Sequence, residues 1–112
     1  MERFSLATGL EAAVAGDVLS LSGELTHLNG ASLELWLQTL PAISVLELSE
    51  FDIEDGVAAT YAVNAVRLLR SRVKVLRIEA APQVLAHNLY RTGLLLEGGL
   101  ELKDMREDEA YG

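Results

Sequence analysis

A single α/β domain, with helices packed on a mostly parallel sheet of four to five strands, is the fold this 112-residue sequence predicts. Three observations carry the prediction. Aliphatic runs bounded by turn residues recur at positions 17–25, 43–48 and 73–79, and helix-period stretches separate them. Strands joined through helices need crossover connections, which set neighbouring strands parallel. No internal repeat, low-complexity linker or shift of composition divides the chain.

The elements follow in order. Phe4-Ser-Leu-Ala is placed beside the first clear strand, 17–25, where Val18, Leu19 and Leu21 are separated by serines ahead of Gly23-Glu24-Leu25-Thr26. Asn29-Gly30 marks a turn over 27–31. Residues 32–40 carry Leu33, Leu37 and Leu40 at helical spacing, with Trp36 beside them, and Pro41 ends that helix. The run 43–48 is nearly all apolar and too short for a helix, which predicts a central strand buried on both faces. An acidic turn leads to the longest helix, 56–72, whose arginines gather at the carboxyl end favoured by the helix dipole. Residues 73–79 alternate as a strand with one polarised face. Pro82 fits the first turn of a helix that runs to Thr92 and stops at Gly93. Positions 94–96 and 100–102 supply a last short strand around Gly98-Gly99. The domain is expected over 1–104, followed by an acidic, disordered tail over 105–112.

Composition narrows the function classes. Without cysteine there is no disulfide, thiolate metal site or cysteine nucleophile, and a cytoplasmic location is expected. No basic region followed by an apolar stretch opens the chain, and no run reaches the ~18 apolar residues of a membrane span, so a soluble protein without membrane insertion is expected. A net charge of -8 and a pI near 4.6 oppose phosphate backbones and anionic headgroups. A protein partner is expected rather than nucleic acid or a membrane surface.

The candidate working surface is Leu48-Ser-Glu-Phe-Asp-Ile-Glu-Asp-Gly-Val-Ala-Ala, where a strand hands over to a helix whose first N–H groups lack helical partners. Asp55 fits an N-cap, a partner contact, or both. A metal site or general acid/base pair from Asp52, Glu54 and Asp55 is the competing reading, but no histidine lies nearby in sequence and no oxyanion or cofactor signal accompanies them. His27 and His87 lack metal-ligand spacing. Trp36 and Tyr61 lie in apolar helical stripes and read as packing residues. Arg67, Arg70, Arg72, Lys74 and Arg77 form a basic island, read as helix-end compensation or as a docking patch for an acidic partner. Glu97-Gly-Gly-Leu lacks the spacing and lysine of a nucleotide loop.

Three segments resemble the STAS domains of anti-sigma factor antagonists and sulfate transporter tails. Val18-Leu-Ser-Leu-Ser-Gly-Glu-Leu-Thr is similar to the family's strand ending in Gly-Glu-Leu-Asp, with Thr26 in place of the acid. The second is the strand-to-helix segment Leu48-Ser-Glu-Phe-Asp-Ile-Glu-Asp-Gly-Val-Ala-Ala. Leu76-Arg-Ile-Glu-Ala-Ala-Pro-Gln-Val through Arg91-Thr-Gly-Leu resembles the family's last strand, loop and helix. Where the family carries Leu-Ser-x-Val-x-Phe-Ile-Asp-Ser-Ser-Gly-Leu, Asp55 matches the acid and Gly56 falls on the serine that the cognate kinase phosphorylates. The resemblance implies a non-enzymatic regulatory module without catalytic residues, metal or cofactor. Its partner would be an anti-sigma factor kinase, or the ATPase subunit of a phospholipid-transport ABC system, whose STAS subunits carry a first-helix tryptophan that Trp36 resembles. A chemotaxis complex and a homodimer stay open. The expected partner-binding residues are Asp52, Glu54, Asp55, Gly56, Val57, Ala59 and Thr60, with no phosphorylation at Gly56.

Overall fold

Two glycines at positive φ, Gly9 (78°) and Gly16 (62°), let the chain reverse tightly at its start. It therefore begins as an antiparallel meander of β1 (Glu2–Ala7), β2 (Leu10–Ala15) and β3 (Val18–Leu25). The computed structural model describes residues 1–106. After β3 each strand is reached through a helix: α1 (Gly30–Leu37), β4 (Val45–Ile53), α2 (Gly56–Arg70), β5 (Leu76–Glu79), α3 (Gln83–Arg91) and β6 (Leu100–Lys103).

The six strands form one sheet in the order β1-β2-β3-β4-β5-β6. The α/β class stands, but the sheet is mixed and larger than the mostly parallel one of four to five strands that the sequence suggests. The first two ladders are antiparallel and the last three parallel. β2 is the unexpected strand. Its Leu-Glu-Ala-Ala-Val-Ala sequence is poor in β-formers, and the two flanking hairpins hold it extended.

Helix α1 packs on α2, and α2 on α3. Because the chain moves one way across the sheet at every crossover, right-handed connections place all three helices on the same face. The core lies between. Leu19, Leu21, Leu46, Leu48, Phe51, Leu76 and Ile78 meet Leu33, Leu37, Val66, Leu69, Leu85 and Leu89 with no more than 3 % exposure each. Phe4 of β1 reaches Trp36 of α1 at 5.2 Å between ring centroids, so the half-buried Trp36 is a packing residue.

The strand expected to stop at Leu48 continues to Ile53. Ser20 pairs with Glu47 and Ser22 with Glu50, so β4 holds one extra residue at a β-bulge. The bulge leaves Ser49 and Glu50 both exposed and returns Phe51 to the core at 1 % exposure. Nor is β4 buried on both faces: Leu46 and Leu48 face the helices, while the alternating Val45 and Glu47 are only half-buried.

Smaller differences also have local causes. Residues 73 and 74 form a bend and 75 is irregular, so β5 starts only at Leu76, whose N–H reaches the Gly99 carbonyl at 2.8 Å. Residues 94–96 turn back on themselves through bonds from Leu96 N–H to the Gly93 carbonyl and from Glu97 N–H to that of Leu94. Pro82, with extended ψ of 148°, is the N-cap of α3. The first helix spans Gly30–Leu37 rather than 32–40, and at Gly30 a Cβ would lie 2.3 Å from the Tyr61 ring, an approach that glycine allows.

Arginines of the basic island are spent on helix and turn carbonyls. Arg72 donates to the Leu37 and Leu40 carbonyls at 3.1 and 3.0 Å, closing the end of α1, and Arg70 donates to Gly98 at 3.1 Å. Arg77 pairs with Glu79 on its own strand at 3.3 Å. Residues 107–112, the acidic part of the expected tail, lie outside the described residues. Arg106, also assigned to that tail, is anchored: its guanidinium donates to the Phe51 and Ser49 carbonyls at 2.6 and 3.3 Å.

Candidate functional site

The carboxyl ends of β3 and β4 meet at one edge of the molecule and are tied directly, Glu54 N–H donating to the Leu25 carbonyl at 2.9 Å. Each strand then turns into a helix. After β3, Asn29 is the buried polar residue that fixes the turn. Its Oδ1 accepts from Thr26 N–H at 2.8 Å and its Nδ2 donates to the Glu24 carbonyl at 2.9 Å. The Thr26 hydroxyl accepts from Leu28 and Asn29 N–H, so it shapes the same turn.

After β4, Asp55 is extended (φ -162°) and its Oδ1 accepts from Ala58 N–H at 2.9 Å. That is the N-cap of α2, worth about 1 kcal/mol, and its carboxylate also complements the positive end of the helix. Gly56 follows on an open surface, where an added Cβ would meet nothing within 4 Å. Thr60, one turn on, is exposed and donates its hydroxyl to the Gly56 carbonyl at 3.3 Å.

Of the seven partner-binding residues the sequence suggests, Asp52, Glu54, Asp55, Gly56, Val57 and Thr60 are exposed. Ala59 is not. It is fully buried, as is Ala58, so neither belongs to a small-residue surface that a partner's backbone could approach. The helical period explains the correction: Ala58, Ala59, Ala62 and Val63 form the inward stripe of α2. The exposed face is Gly56, Val57 and Thr60.

The three carboxylates expected as a possible acid/base or metal cluster are held by different partners. Asp52 points to Arg106 (3.4 Å), Glu54 to His27 (3.0 Å) and Asp55 to the Ala58 N–H. No group of three His, Asp or Glu placed to hold a metal ion occurs among the described residues.

Two residues join the site that the sequence did not assign to it. The exposed His27 Nδ1 lies against Glu54 Oε1 and links the β3–α1 turn to the β4–α2 turn. Leu28 is 83 % exposed beside it in sequence, and Val57, on the first turn of α2, is 61 % exposed. No sequence signal couples His27 to Glu54, since the pair is made by the parallel β3–β4 register. The edge thus presents carboxylates, one imidazole and two uncovered aliphatic side chains on well-bonded turns. Such a surface can bind a protein by charge and apolar contact.

No protein-family model matches this chain, and a search of curated proteins found no match. No helix among the described residues is long and apolar enough to cross a membrane.

Proposed function

We propose that the protein is a non-enzymatic regulatory interaction module of the STAS type, similar to anti-sigma factor antagonists, working in the bacterial cytoplasm. It docks a partner protein through the β4–α2 junction: Asp52, Glu54, Asp55, Gly56, Val57 and Thr60. The observation that carries this reading is the start of α2, where a capped, rigid helix end leaves Gly56 and Val57 uncovered. The turn needs no induced order before binding, which lowers the entropic cost of association. At the position where such antagonists carry a phosphorylatable serine, Gly56 offers no hydroxyl, so binding is governed otherwise.

A second reading keeps the surface and changes the partner: an accessory subunit of a phospholipid-transport ABC system or of a chemotaxis complex. What supports the transport reading is the resemblance of Trp36 to the first-helix tryptophan of those STAS subunits. Affinity purification from the native host at near-native expression separates the two. An anti-sigma kinase in the eluate supports the first, a transporter ATPase or a chemotaxis protein the second, and recovery of no partner contradicts both.

A further inference from the structure

The three helices cover one face of the sheet and leave the other bare among the described residues. Parallel strands normally have both faces covered, and then read as continuous aliphatic runs. Here β3 to β6 alternate instead, so their second face suits water or a polar partner. Strand register shows what it carries. Ala15, Val18, Val45, Arg77 and Glu101 lie in one row, Arg3, Ala13, Ser20, Glu47, Glu79 and Lys103 in the next, then Ser5, Glu11, Ser22 and Glu50, then Glu24 and Asp52.

Two features of that face are independent. The first is shape: Ser5, Ala13, Ser20 and Ser22 floor a shallow groove over β1 to β3, with Arg3 at its β1 side and Glu11 beside it. Three strands ~4.8 Å apart give a trough about 10 Å across, the width of a helix. The second is charge. The middle of the bare face, β2 to β4, bears Glu11, Glu24, Glu47 and Glu50, and those three strands contain no Lys or Arg; Arg3 of β1 and Arg77 and Lys103 of β5 and β6 flank them, and Asp52 borders the junction. Glu47 is bonded to Ser49 N–H and Asp52 to Arg106, while Glu11, Glu24 and Glu50 have no partner among the described residues.

We propose that this bare face is a second docking surface, distinct from the β4–α2 junction, and that it takes a lysine- or arginine-rich amphipathic helix of a partner protein. Cationic side chains meet the carboxylate rows while small apolar ones sit over Ala13, Ala15, Val18 and Val45. A second copy of the chain is disfavoured where it would set the Glu11, Glu24, Glu47 and Glu50 carboxylates against one another.

The test is a titration of the isotope-labelled full chain with a synthetic amphipathic helix of lysine, alanine and leucine, read by amide chemical shifts at low and high salt. Perturbations confined to the strand residues of the bare face, with affinity falling steeply with salt, are expected. Glu11→Lys with Glu50→Lys should weaken binding by roughly tenfold or more, as both charges are reversed at the contact. Glu97→Lys together with Asp104→Lys, the same charge change elsewhere, should leave it within about twofold. Equal loss in both variants, or shifts spread over α1 to α3, overturns the proposal. Shifts confined to Glu54–Thr60 overturn it in favour of the junction, and a salt-resistant dimer by light scattering would show that a second copy covers the face.

Discussion

Replacing Gly56 with glutamate separates folding from binding at the candidate site. The first position of α2 has room for a side chain, since a Cβ at Gly56 meets nothing within 4 Å. The change from glycine contributes up to about 0.5 kcal/mol through helix propensity, and a carboxylate at a helix start adds about 0.3 to 1 kcal/mol. Repulsion from Asp52, Glu54 and Asp55 offsets part of this, leaving a net stabilisation of up to about 1 kcal/mol. The thermal midpoint should then rise, by up to about 6 °C in a domain of this size. Affinity for the partner should fall by tenfold or more, because bulk and charge enter the proposed contact, and Gly56→Gln should show how much of that is bulk. A lowered midpoint would refute the open geometry around Gly56. A raised midpoint with unchanged affinity would refute the docking site.

Other substitutions probe what positions that site. Phe51→Ala removes a ring that is 1 % exposed just past the bulge, and should cost about 3 to 5 kcal/mol in urea unfolding. Asp55→Ala should cost about 1 kcal/mol, with Asp55→Ser recovering most of it, as judged by the same melts. Arg106→Gln releases the Ser49 and Phe51 carbonyls and should lower stability by about 1 kcal/mol in the same melts. Gly30→Ala drives a methyl into the Tyr61 ring and should cost about 1 to 3 kcal/mol, whereas Gly30→Ala with Tyr61→Leu should recover part of the loss.

The parts of the fold visible in the sequence are those where one local signal dominates. Gly56 through Arg70 has a clear helical stripe, a cap and terminal arginines, and α2 spans Gly56–Arg70 within two residues of expectation. β2 was hidden because alanine-rich segments signal helix, and only the hairpins at Gly9 and Gly16 force it into the sheet. The end of β4 was hidden by its bulge: Ser49, Glu50 and Asp52 read as a polar turn until the extra residue shows Phe51 and Ile53 resuming the inward row. At the site, the cap at Asp55 was legible because N-caps are local. The pairing of His27 with Glu54 and of Arg106 with Asp52 was not, since both depend on tertiary register across the sheet. Ala59 shows the opposite error. Small residues after a turn suggest a surface for close approach, but their helical phase turns them into the core.

The central claim is that the β4–α2 junction is where a partner binds. Hydrogen exchange on the protein alone and in complex with the partner purified from the native host tests it most directly. Slowed exchange concentrated at the amides of residues 54–60, with lesser protection at His27 and Leu28, is the predicted footprint. Protection lying wholly elsewhere, with the junction exchanging as in the free protein, would contradict the account.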